Sequence, residues 1–423
     1  MSRYRALQRR RGARALTAAS LLAWFAPASL PLALVVAVRH STGSMTVAGA
    51  AVGAFAAGAG LLAPLRGRLV DRRGGRGLAT ITAGYSVSMI VLAASTALRW
   101  DAGVSIAAAA AAGALAPPLV ATSRALWGPV AGTELERTGH ALNAALGDAS
   151  IILGPLVAGA LAAGVDPALS LAVPTLGPAA AAAMLGAVGI PAGARSAGTP
   201  ASVLRESAGL RTLALTVLPT WCVLGGLEVA GPGVAIQAGH PQLAAVPLAA
   251  FGAGSVLASI WVGASGRARA AGDRYVAGSV LLALALAPLL ITGSLTSLCL
   301  VVALAGLAFG ILNVAMLQLL DRVVPQQNAV EALTWLTSVQ GMGVAGGSAL
   351  AGVLAAHSAS RALAVLALVA PLPAMLAVGR RRTLAPSRVG PARAGVLTAA
   401  DSPSVRRLAS AAATAMHGHD LER

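Results

Sequence analysis

Apolar positions in this chain neither alternate nor keep to one face of a helix. They fill runs of about 20 residues, the length a helix needs to cross the hydrocarbon of a bilayer. Twelve such runs can be read, near 15–38, 45–65, 77–98, 103–128, 140–163, 168–190, 211–236, 243–264, 275–293, 296–320, 327–356 and 361–379. Pro27 and Pro31 break the first, and Pro117-Pro118 interrupts the fourth. A polar segment carrying Pro191, Arg195, Pro200, Arg205 and Glu206 separates six runs from six. The expected organisation is a basic N-terminal segment 1–14, a six-helix unit 15–190, a linker 191–210, a second six-helix unit 211–379, and a disordered tail 380–423.

Composition agrees with lipid as the solvent. The chain of 423 residues is 57% hydrophobic and 11% charged, against roughly a quarter charged in a soluble domain. Small residues abound and aromatics make up 3%, which suits closely packed helices in a bilayer and argues against a sugar-stacking site. The net charge of +17 would suggest nucleic acid in a soluble protein, but its placement points elsewhere. All 31 basic residues are arginine: 27 fall in alternate loops and the termini, three in the opposite loops (Arg39, Arg99, Arg361), and one, Arg124, inside a run. That asymmetry puts both termini in the cytoplasm of a cell-membrane protein and leaves nucleic acid out of the partner list. The arginine-rich start resembles a signal peptide, but its apolar run is too long, so a retained first helix is expected.

The densest polar knot lies between the second and third runs. Gly67 to Arg76 holds four arginines, three glycines and Asp71. A basic turn outside the hydrocarbon accounts for it, and Asp71 among arginines adds a charge-assisted contact. The pattern Gly67-x-x-x-Asp71-Arg72-x-Gly74-x-Arg76 resembles the signature loop between helices 2 and 3 of the major facilitator superfamily, and the segmentation extends that resemblance over roughly residues 15–380. Gly263-Ala-Ser-Gly266-Arg267-Ala-Arg269 looks like a degenerate second copy.

The resemblance implies an all-α integral membrane fold of twelve transmembrane helices in two pseudo-symmetric six-helix bundles, acting by alternating access. It also implies a latch. Asp71 would meet the start of helix 11, from Pro325 to Glu331, while Arg72 and Arg76 would meet Glu134, Glu136 or Asp321. On the fifth run, Gly147, Gly154-Pro155 and Gly159 are similar to the glycine–proline signature of the superfamily's exporters, and imply a kinked helix with a glycine face. The exporters' helix-4 arginine has no match, since Arg124-x-x-x-Gly128 sits toward the wrong end.

Ionisable residues inside the runs are costly and mark candidate pathways. Arg124 and Asp148 read either as an ion pair across helices 4 and 5 or as a charge relay. Glu228, in the seventh run, has no evident cation. A carboxylate so placed favours its protonated form, which makes it either the proton-coupling residue or an interfacial glutamate. Asn143, Asn313, Gln318 and Gln340 are candidate cavity hydrogen-bonders. Gly341, Gly343, Gly346, Gly347 and Gly352 give the eleventh run a close-packing face.

Absences narrow the classes. Without lysine there is no P-loop lysine, and no Gly-x-Ser-x-Gly or His-Glu-x-x-His occurs. Cys222 and Cys299 lie in apolar runs and no histidine pair has metal-ligand spacing, so neither an enzyme nor a cofactor or metal is expected. The expected function is secondary transport of a small molecule, as proton-coupled export by a monomer. An uptake permease for a sugar, nucleoside or amino acid, and a non-transporting membrane scaffold, are the alternatives.

Overall fold

The computed structural model describes residues 2–164, 166–190, 207–264, 271–292, 294–324 and 329–384. Most of the expected linker, the core of the degenerate copy at 265–270 and the tail from 385 lie outside the described residues.

The chain begins with a short helix, α1 (Ser2–Gln8), where a basic segment alone is expected. Leu7 is fully buried, and the Gln8 Nε2 donates to Thr17 Oγ1 at 2.9 Å, so this segment docks on the bundle. The six helices of the first half follow. They are α2 (Ala13–Thr42), α3 (Met45–Leu61), α4 (Ala63–Ala97), the pair α5 (Ala102–Ala114) and α6 (Leu119–Ala131), α7 (Glu136–Gly164) and α8 (Ala172–Val188). The second half comprises α9 (Ala208–Gln237), α10 (Val246–Ala264), α11 (Ala271–Leu286), α12 (Leu295–Val323), α13 (Ala329–Ala355), and the pair α14 (Ala359–Val369) and α15 (Pro371–Gly379). Among the described residues, eleven segments are long and apolar enough to cross a membrane, and the shorter α3 fills the place of the second expected span.

Three departures from the expected spans have local causes. The arginine knot is not an open turn. Residues from Ala63 wind helically up to a break at Gly74, whose φ of 55° and ψ of −134° suit glycine and interrupt the helix before the third span. The fourth span is divided after Ala114, because Pro117 and Pro118 cannot donate to the turn before them. The twelfth is divided at Ala370, before Pro371.

The two halves pack alike. In the first, α2 lies against α7 and α8, and α3 against α5. In the second, α9 lies against α13 and the α14–α15 pair, and α10 against α12. The repeat extends to single residues. A methyl group added to Gly113 would strike the carbonyl of Phe55, and one added to Gly306 would strike the carbonyl of Phe251. Likewise Gly58 abuts the Ala110 carbonyl and Gly254 the Ala303 carbonyl. Phe-x-x-Gly facing Ala-x-x-Gly therefore recurs in the second half, as close helix approach in lipid requires.

Two matching contacts join the halves: α3 to α13, and α7 to α10. Gly49 faces Gly352, Gly53 faces Ala345, and Gly60 faces Gly341, where the Ser338 hydroxyl donates to the Gly60 carbonyl at 2.8 Å. Between α7 and α10, Gly252 rests on Ile151 and Gly159 on Ala245.

Candidate functional site

A cavity of about 220 Å³ lies between the halves. From the first half, α2 contributes Pro27, Ala28 and Pro31, while α7 contributes Ile151 and Pro155. The two prolines of the first apolar run thus sit on the cavity wall. From the second half, α9 presents Trp221, Leu224, Leu227 and Glu228. Pro247, Leu248 and Phe251 come from α10, and Val302 and Phe309 from α12.

Among the described residues, Glu228 is the one ionisable residue on this wall. It is half-buried, and its carboxylate makes no hydrogen bond or ion pair among the described residues. Its helix is held from behind: Gly225 abuts the Val344 backbone and Gly226 the Leu366 side chain. At the helix end, Gln237 accepts from the Ala359 amide at 2.9 Å and donates to the Ala355 carbonyl at 2.7 Å. The carboxylate is therefore carried on a fixed rod facing an apolar space.

Aromatic rings gather on the same side. Trp221 and Phe309 meet edge to face, with centroids 5.7 Å apart and planes at 86°. Phe251 lies tilted on Phe309 at 5.5 Å. Two of the chain's four phenylalanines and one of its six tryptophans thus converge here. Low aromatic content is the wrong guide to this site, because composition averages over the chain what folding concentrates.

Other expected site residues fall elsewhere. Arg124 is exposed on α6 and Asp148 half-buried on α7, and they do not form an ion pair. Asp148 lies three residues before Ile151, hence on the cavity-facing side of α7 and nearer the termini. Gly154 packs against the backbone of Ala28 and Ser29, Gly147 against the Trp24 ring, and Pro155 lines the cavity. The glycine face of the fifth span therefore seats α2. None of Asn143, Asn313, Gln318 and Gln340 lines the cavity. Asn143 is buried with its Oδ1 unpartnered, and Gln318 accepts from Arg274 at 3.0 Å.

In the arginine knot, Gly67 has open space around it, Gly74 forms the break, and Arg72 and Arg76 are exposed. Neither arginine pairs with Glu134 or Glu136; Glu136 instead approaches His140 at 3.7 Å. Asp71 is half-buried and has no ion pair or hydrogen bond among the described residues. Glu331 belongs to the first turn of α13, and the expected docking segment 325–328 lies outside the described residues.

Arg66 is the polar residue that sequence reasoning passes over. Its guanidinium donates to the carbonyls of Gly113 (2.6 Å), Ala114 (3.1 Å) and Ala59 (2.6 Å). The Ala114 carbonyl is freed by the break before Pro117, the Gly113 carbonyl also accepts from the Ala116 amide at 3.1 Å, and a cation suits both at a helix C-terminus. Arg66 thereby ties the end of α3 to the broken fourth span. Among the described residues no group of three or more His, Cys, Asp or Glu comes together to hold a metal ion.

No family model and no curated protein matches the chain. Solved structures do. The nucleoside transporter NupG, in a mutant form, superposes with a TM-score of 0.69 at 15% identity, covering 87% of this chain and 98% of its own. The human organic anion transporter MFSD10 gives 0.60 at 19% identity, covering 86% and 98%. The peptide transporter POT, in a mutant form with sulfate, gives 0.67 at 14%, covering 89% and 95%. The likeness shows that the chain has the major facilitator fold.

Proposed function

We propose that the protein is a secondary transporter of the cell membrane, exporting a small molecule by alternating access in exchange for protons, with both termini in the cytoplasm. The observation that carries this reading is the cavity at the junction of two like-packed bundles, lined by one carboxylate without a cation. A charge is expensive at that depth, so Glu228 has reason to exchange its proton for another ligand. Transporters on the same fold, for nucleosides, organic anions and peptides, support the class of activity.

The conformation fits one end of such a cycle. Away from the termini the bundles meet through Met45 on Gly233, Gly49 on Gly352, and Gly159 on Ala245. Toward the termini Gly60 still meets Gly341, while Arg124 is exposed and Asp148 and Asp71 have no partners among the described residues. We read this as a state shut on the side away from the termini. In the alternate state Asp71 docks at the start of α13 near Glu331, and Arg72 and Arg76 find acids on neighbouring loops.

The experiment is flux in proteoliposomes under an imposed pH gradient, preceded by a resistance screen in a host lacking its own exporters. Wild-type protein moves a compound against the proton gradient, while Glu228→Gln and Asp71→Asn insert normally and do not. Gradient-driven flux persisting in Glu228→Gln removes that residue from coupling. Flux along the proton gradient favours the uptake permease. A panel that yields neither flux nor a thermal shift favours the scaffold.

A further inference from the structure

We infer that the cavity beside Glu228 takes a compact lipophilic monocation: an amine or quaternary ammonium carried on a small apolar body. This rests on the reading of that cavity as the substrate site, and adds the charge, polarity and size of what enters it.

Three observations carry the assignment. First, the wall holds one carboxylate and no basic residue, so an anionic ligand meets only like charge in an apolar enclosure. A neutral ligand leaves the carboxylate uncompensated, whereas a single positive charge satisfies it. Second, Trp221, Phe251 and Phe309 form a contiguous aromatic surface, with neighbouring centroids 5.7 and 5.5 Å apart, on the carboxylate's own helix and on α10 and α12. Ring faces attract cations, and more strongly where water is excluded. Carboxylate and rings together recognise an alkylammonium better than either does alone. Third, at about 220 Å³ the cavity is smaller than the usual drug-sized site of roughly 300–1,000 Å³. With leucine, valine and proline over the remainder, it suits one ring and a short ammonium arm.

The test is binding by the purified full-length protein in lipid nanodiscs, measured by equilibrium dialysis. The probes share a benzyl group: benzyltrimethylammonium, its uncharged carbon isostere neopentylbenzene, and phenylacetate as the anion. Wild-type protein should bind the cation on the order of tenfold more tightly than the isostere, and should not bind phenylacetate. Glu228→Gln should hold cation and isostere about equally, and Glu228→Asp should restore part of the preference. Phe309→Leu should weaken the cation more than the isostere. Retained binding of the isostere by each variant shows that the cavity is still formed.

The inference is overturned if wild-type protein shows no saturable cation binding, if the isostere or anion binds as well as the cation, or if Glu228→Gln keeps the preference. The two readings fail separately. Proton-coupled flux of some other compound without cation binding sinks this inference and leaves the transporter. Selective cation binding without flux in proteoliposomes keeps the site's ligand class and sinks the transporter.

Discussion

At the scale of single residues, Arg66 and Glu228 show two ways of placing charge in an apolar fold. Arg66 spreads its charge over three carbonyls where helices end. Removing it strands the Ala114 carbonyl and leaves Gly113 with the Ala116 amide alone, so Arg66→Met should cost about 1 kcal/mol or more. Thermal unfolding of the purified variant checks this, and an unchanged midpoint would show that the carbonyls find other donors. Glu228 has no such settlement. Glu228→Gln should leave the melting temperature nearly unchanged, because its carboxylate holds no polar contact among the described residues, while abolishing proton-driven flux. A large fall in stability would make it a structural residue. Glu228 was legible in the sequence because a lone acid in a run from 211 to 236 violates the hydropathy pattern. Arg66 was not, because its acceptors lie 47 and 48 residues further along and exist only because Pro117 and Pro118 break a helix. The pairing weighed for Arg124 and Asp148 failed on direction: spacing put both near one end of adjacent spans, but Arg124 faces outward.

At the scale of elements, the close approaches are where sequence change should be felt. Gly347 abuts the backbone of Cys222, whereas its neighbour Gly346 has nothing within 4 Å. Gly347→Val should therefore force α9 and α13 apart and lose folded protein in detergent. Gly346→Val should stay within about 0.5 kcal/mol of wild type, measured by thermal unfolding. Equal effects at both positions would mean that the packing face is wrongly assigned. The eleventh run's glycines were visible as a set, but adjacent glycines cannot be sorted by composition; that takes the partner helix. The spans themselves were legible to within a few residues, because hydrocarbon thickness sets their length. The helical start of α4 was not: its arginines suggested an open turn, but charge does not prevent a helix, and only Gly74 stops it. The internal repeat was partly legible in the spacing of the runs. Its clearest trace, Phe-x-x-Gly on Ala-x-x-Gly, consists of residues too common to stand out before their contacts are known.

At the scale of the whole molecule, alternating access requires one cavity to be reached from each side in turn. The symmetry supplies the means, since α3–α13 and α7–α10 are matching contacts on which like bundles can rock. The far side is shut through Gly159 and Ala245, where an added Cβ would sit 2.8 Å from the alanine methyl, near enough for a disulfide after small adjustment. That pair provides a lock that needs no knowledge of the substrate. The most direct measurement starts from protein with Cys222 and Cys299 replaced by serine. It carries Leu248→Cys on the cavity wall, and a membrane-impermeant thiol reagent is applied from each side of oriented vesicles. Without the lock, labelling should occur from both sides. With Gly159→Cys and Ala245→Cys oxidised to a disulfide, it should persist from the side of the termini and vanish from the other. Leu248→Cys that never reacts from the far side, or reacts there equally with the lock closed, would contradict alternating access through this cavity.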